Sequence, residues 1–341
     1  MSSKTLNNRS QSLEKEMVSV KSKRIKVNIY NPHTLRQLLL LLFLVLITVG
    51  IIRQISIYFA KPALQTFRLR TVSNRFQLAN RESLGFFEDI TVKDWCRKKK
   101  LVREQRNHCS SNELCMGSIG GSPAKPHVWY QMNWEPSFSC SFVTRQGMGD
   151  GPKWICDPHL LFSGDKPCLV YSIGSNNNFL FEESIHAMSS GRCEIHTFDP
   201  GSKISKKPTY VNYHQWGISS TTSESMKTLA DTIEFLGHAH KTVDIMKMDC
   251  EGCEWATFEG WFKHLKNFPT QILLEMHKGT TGTAPVPADQ LLQHMRDNNY
   301  VIFQKEPNTL QTVAKGECIE YSFLHLAPAF FTESSICDSS L

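Results

Sequence analysis

From about Trp154 onward the chain alternates short apolar runs with stretches of helical character. Cys168–Ile173 reads as a strand that ends in the turn Gly174-Ser-Asn-Asn-Asn178, and the segment FLFEESIHAM that follows reads as a helix. A second strand, Cys193–Phe198, ends in Asp199-Pro200-Gly201. A helix is expected over Ser225–Leu236, and a third apolar run, Val243–Met248, ends at Asp249. An amphipathic stretch Trp255–Leu265, a strand Gln271–Met276 ending at His277, a helix Ala288–Asn298, and strands Tyr300–Gln304 and Glu320–Leu326 complete the series. Apolar strands separated by helices are the signature of βαβ units and a mostly parallel α/β sheet.

Before Trp154 the pattern changes. Residues 61–150 hold three Trp, four Cys and the turn-rich Gly117–Pro126 without a clear period, which suggests a stem followed by a disulfide-tied cap. Leu38–Ile52 is free of charge, and apolar character resumes after Arg53 and Gln54 as far as Ala60. A helix over 38–60 is long enough to span a bilayer when Arg53 lies at the membrane edge. A cleaved signal peptide or a buried helix are the alternatives, although no small-residue cleavage site follows the run. The expected plan is a basic cytosolic tail (1–37), a transmembrane signal-anchor (38–60), stem and cap (61–150), a catalytic-type domain (151–330) and a C-terminal tail (331–341).

Charge sharpens this plan. The formal net charge is +6, and residues 1–36, with eight basic and two acidic side chains, carry all of it. The body is therefore formally neutral, which gives no support to a nucleic-acid partner. All 11 Cys follow the apolar segment, a density that suits an oxidising lumen. The sequon Asn8-Arg9-Ser10 lies on the side assigned to the cytosol. A type II membrane protein with a lumenal body is the expectation, with one thiol left over from an odd count.

In open α/β sheets ligands bind beyond the carboxyl ends of the strands, so residues that end strands carry the chemistry. Gly174 allows close backbone approach, but its turn lacks the repeated glycines of a dinucleotide site and offers Asn176 and Asn177 instead. That suits a nucleoside contacted through backbone and amide groups; equally, Ser and Asn make a plain capping turn. Asp199 stands where a carboxylate can accept both hydroxyls of a ribose, or else begins a turn before Pro200. Around the third strand end, Asp244, Asp249, Glu251 and Glu254 crowd together with Cys250 and Cys253. Asp249 and Glu251 can position a substrate hydroxyl, accept its proton or hold a divalent cation. Glu254 fits the first turn of a helix, and the single C-x-x-C fits buried or disulfide-bonded Cys better than zinc.

The ordered set YSIGSNN, HTFDPG, DIMKMDCEGCEW, ILLEMH and EYSFLHL resembles the S-adenosylmethionine-dependent methyltransferases of the FkbM type, and within them the animal methyltransferase-like protein 24 group. The resemblance spans roughly residues 150–330. It implies a Rossmann-like class I fold, a seven-stranded, mostly parallel sheet with an antiparallel last strand and helices on both faces. It implies S-adenosylmethionine as cofactor, with Ser172, Gly174, Ser175, Asn176 and Asn177 near its methionine part and Asp199 on the ribose. Asp249 would lie near the transferable methyl. A small-molecule or glycan hydroxyl is the expected acceptor, with Asp249 or Glu251 orienting it and His277 as general base, since His titrates near neutral pH. No metal is assigned. A non-catalytic lumenal binding protein with the same fold, and a Golgi glycosyltransferase, are the rival readings.

Overall fold

In the computed structural model the described residues are 36–37, 40, 43–48, 77–111, 133–149, 153–163, 167–201, 204, 206–263, 265–277, 286–308 and 318–338. The chain divides into two compact units, residues 1–68 and 69–341. In the first, residues 43–48 are helical, while most of the expected anchor at 38–60 lies outside the described residues. Among the described residues no helix is long and apolar enough to cross a membrane, so the anchor gains no support here.

The second unit runs α1 (Val92–Ser111), β1 (Val143–Gln146), β2 (Lys153–Cys156), α2 (Pro158–Leu161), β3 (Cys168–Ile173), α3 (Leu180–Met188), β4 (Cys193–Phe198), β5 (Val211–His214), β6 (Gly217–Ile218), β7 (Met226–Lys227), α4 (Leu229–Phe235), β8 (Ile245–Met248), α5 (Cys253–Thr257), β9 (Gln271–Met276), α6 (Val286–Asp297), β10 (Tyr300–Pro307), β11 (Ile319–His325) and α7 (Ser335–Asp338). Seven strands form one sheet in the order β10-β11-β9-β8-β3-β4-β5. The five strands from β5 to β9 in that sheet pair in parallel, and β11 is antiparallel to both neighbours. The chain winds outward from β3 through β4 to β5, then crosses to β8 on the other side of β3. This is the expected Rossmann-like order, with its switch point between β3 and β8.

The strands are buried on both sides, which is why they read as unbroken apolar runs. Val170 of β3 joins one hydrophobic cluster, with Phe181 and Ile185 of α3, while Leu169, Tyr171 and Ile173 join the other. That second cluster takes in Leu229 and Ile233 of α4 and Leu291, Leu292 and Met295 of α6. Residues 77–102 and Phe138 belong to the first cluster through Leu78, Phe87, Trp95 and Val102, so the segment read as stem and cap supplies part of the layer over one sheet face. Glu82, buried there, accepts from Trp95 Nε1 and Lys99 Nζ, each at 2.6 Å. Disulfides join Cys96 to Cys337, Cys140 to Cys156, Cys168 to Cys193 and Cys250 to Cys253. The Cys96 bridge ties the tail at 331–341 back to α1.

Two helices are shorter than their periodicity suggests. The Thr228 hydroxyl caps α4 by accepting the Asp231 N–H at 3.0 Å, so the helix starts at Leu229, and Met226–Lys227 pairs with β6. Over 255–265, α5 ends at Thr257 and gives way to a 3₁₀ turn, Phe258–Gly260.

Candidate active site

A cavity of about 880 Å³ opens at the carboxyl ends of β3, β4 and β8, where strand order reverses. Gly174, Ser175, Asn176, Asp199, Asp249, Glu251 and His277 all line it. Ser172 and Asn177 do not line it: Ser172 is fully buried within β3, and Asn177 is exposed at the turn.

The turn after β3 owes its residues to the backbone first. Gly174 has φ 80°, and a Cβ there would lie 1.7 Å from the carbonyl oxygen of Asp249. The neighbouring strand end alone thus requires glycine here. Asn176 and Asn177 follow with φ 44° and 62°, in the left-handed region that Asn tolerates better than most residues. Asp199 closes this turn. Its Oδ2 accepts the N–H groups of Ser175 at 3.0 Å and Asn176 at 2.7 Å and the Ser175 hydroxyl at 3.2 Å, while Oδ1 accepts the Gly201 N–H at 3.1 Å. Burial works against the ionised carboxyl, but these donors outweigh it and hold Asp199 below the usual carboxylate range. One oxygen is therefore filled by the chain itself, and Oδ1 keeps accepting capacity.

The opposite wall is built from side-chain ions. Lys153, buried in β2, lies 2.7 Å from Glu320 Oε1, 3.3 Å from Glu275 Oε2 and 3.4 Å from Asp249 Oδ2. Burial disfavours its charge, yet these three carboxyls outweigh burial and hold Lys153 as a cation. Lys247 donates to the Gly174 carbonyl at 2.6 Å and lies 3.5 Å from Asp249. Asp249, opposed by burial but favoured by Lys247, Lys153 and His277, is held well below the usual carboxylate range.

His277 follows β9. Its backbone N–H donates to Glu254 Oε1 at 2.8 Å, and its Nδ1 lies 3.1 Å from the same oxygen. Nε2 then faces Asp249 Oδ1 at 3.7 Å and Glu251 Oε2 at 3.6 Å. Burial lowers the imidazole's proton affinity, but Glu254, Glu275 and Asp249 outweigh it and raise His277 to about 9. The expectation that His277 titrates near neutrality is corrected by this cage of carboxylates. Glu251 has φ 56° and an exposed side chain, and Gly252 follows with φ 108°, so the turn between β8 and α5 is left-handed at two successive residues, with the Cys250–Cys253 disulfide across it.

Lys153 and Lys247 were not anticipated from the sequence; Glu254 does lie in the first turn of a helix, α5, as expected, and is in addition fully buried against His277. A lysine inside an apolar strand run was the available signal, because buried lysine is almost always paired.

A family model described as a methyltransferase domain matches residues 77–325. Among solved structures the chain is similar to a proposed methyltransferase of Thermoplasma acidophilum at 7% identity and a TM-score of 0.27, covering 47% of this chain and 67% of that one. No curated protein matches.

Proposed function

The chain belongs to this methyltransferase family, and on that premise we propose that it uses S-adenosylmethionine to methylate a hydroxyl acceptor. The observation that carries this reading is the pairing, across one cavity, of Asp199 with a Glu254–His277–Asp249 array. Asp199 Oδ1 and the Gly174–Asn176 turn would hold the ribose and methionine parts, with Ile218 and Met226 as apolar walls for the adenine. S-adenosylmethionine, when bound, would supply a methyl group attached to a sulfonium sulfur, with the neutral thioether as leaving group.

The chain's own residues then have to orient the acceptor and take its proton. Glu254 fixes the proton of His277 on Nδ1, as an orienting carboxylate does in a catalytic triad, which leaves Nε2 to accept. Nε2 of neutral His277 would take the acceptor's hydroxyl proton. Asp249 steadies the imidazolium so formed. Because the ligand-free site holds His277 protonated up to about 9, kcat/KM should rise with pH and level off near that value. A fall above it would instead mean that the imidazolium anchors an anionic acceptor.

The finer kinship with the FkbM type and the methyltransferase-like protein 24 group belongs to this proposal, as does a lumenal setting behind the anchor at 38–60, which the four disulfides support. The test is transfer of labelled methyl from S-adenosylmethionine to a panel of glycan and small-molecule hydroxyls. His277→Ala should lower turnover by about 10² or more while leaving S-adenosylhomocysteine binding in place. Full turnover in both His277→Ala and Asp249→Ala would overturn the assignment.

A further inference from the structure

A second polar cluster lies on β4 and β5, outside the cavity wall. Glu194 and His196 stand two apart on β4 and so share one face of the strand, and His238 follows α4. Glu194 Oε1 lies 3.0 Å from His196 Nε2 and 3.3 Å from His238 Nε2, and one donor atom from each residue falls within 4.8 Å of the others. Each imidazole is braced through its other nitrogen. His196 Nδ1 lies 2.8 Å from His214 Nε2, and His238 Nδ1 lies 2.8 Å from the Tyr171 hydroxyl.

We propose that Glu194, His196 and His238 form a zinc site with a fourth position open to water. A tetrahedral zinc with bonds of about 2.0–2.1 Å sets its ligand atoms roughly 3.3 Å apart, close to the two spacings from Glu194. Two imidazoles and one carboxylate are a zinc-type donor set, whereas magnesium and calcium prefer oxygen ligands throughout. The outer partners match what metal-bound histidines require, since the Tyr171 oxygen and His214 Nε2 can each accept a hydrogen bond from Nδ1–H and leave Nε2 with its lone pair. Both Nε2 atoms already face Glu194 Oε1, so an ion would enter between groups that are in place. Both histidines are buried, while the Glu194 side chain is 41% exposed and gives an ion its route in.

Lys241 marks the site's limit. Its Nζ lies 2.8 Å from Glu194 Oε2, which leaves Oε1 to the histidines but sets a positive charge beside the ion. The ion would tie His238, three residues beyond α4, to β4, whose last residue Phe198 and the following Asp199 line the cavity.

The test titrates the purified full chain with Zn²⁺ against a chromogenic chelator and records the visible spectrum with Co²⁺. One equivalent should bind, with a tetrahedral Co²⁺ spectrum. Glu194→Gln, at a partly exposed position, should weaken binding at least tenfold without unfolding the chain. His214→Asn should weaken it about 10- to 100-fold through the outer partner alone. Lys241→Gln should tighten it several-fold, and His277→Asn should leave it unchanged. Absence of binding overturns the proposal, and so does affinity that folded Glu194→Gln and Lys241→Gln leave unmoved.

Discussion

The two walls of the cavity hold their charges by different means. On the β3–β4 wall, Asp199 is bound by backbone N–H groups and one hydroxyl from residues 175, 176 and 201, so its position follows from the local path of the chain. On the β8–β9 wall, Asp249 and His277 are held by side-chain ions, Lys247 from close by and Lys153 from far away. Lys153 is 96 residues from Asp249 and 167 from Glu320. Backbone donors are geometrically fixed and carry no net charge, so they hold a carboxylate ready for a ligand without adding charge. A network of buried ions sets proton affinities, as the histidine raised to about 9 shows. One wall is suited to hold a ligand, the other to move a proton.

The sharpest way to break this arrangement is where the walls touch. Gly174→Ala would drive a Cβ into the Asp249 carbonyl, and a loss of about 5 kcal/mol, or failure to fold, is expected in urea denaturation. Next comes Lys153→Met, which strands Asp249, Glu275 and Glu320 around an apolar side chain. The expected cost is about 3–5 kcal/mol near neutral pH. It should shrink in acid as the carboxylates take up protons.

The third contrast is in pH. His277 is raised from an ordinary value near 6.5 to about 9 in the folded chain, so its stabilisation is complete below about 6.5 and is lost as pH rises through 9. That term amounts to about 3 kcal/mol. Urea denaturation at pH 6 and pH 9.5 should show a decline in the wild type that His277→Asn largely removes. The β3–β4 wall gives the smaller effect: Asp199→Asn turns an NH₂ toward N–H donors and should cost about 1–3 kcal/mol in the same assay. It should also weaken cofactor binding at least tenfold.

The first wall was largely legible in the sequence because its determinants are local. The turn at 174–176 and Asp199, 23 to 25 residues apart, each sit directly at the end of an apolar run, and those runs fix the strands that carry them. Even there the reason for Gly174 and the two Asn residues is the backbone, a demand that spacing alone does not separate from ligand contact. The second wall was legible in its anions and in His277, but not in its lysines. Its cations come from β2 and mid-β8, and which carboxylates Lys153 meets depends on how a hairpin lies against β9 and β11. Glu254 was placed correctly in the first turn of α5, but its contact with His277 was hidden for a related reason. First-turn position is a sound local signal, but burial against His277 depends on β9 packing beside β8.

The most direct test is calorimetric titration of the purified full chain, in its oxidised form, with S-adenosylmethionine and S-adenosylhomocysteine. One-to-one binding of both, abolished by Asp199→Ala and retained by His277→Ala, is the predicted result. Absence of binding to well-folded wild-type protein would contradict the account at its centre.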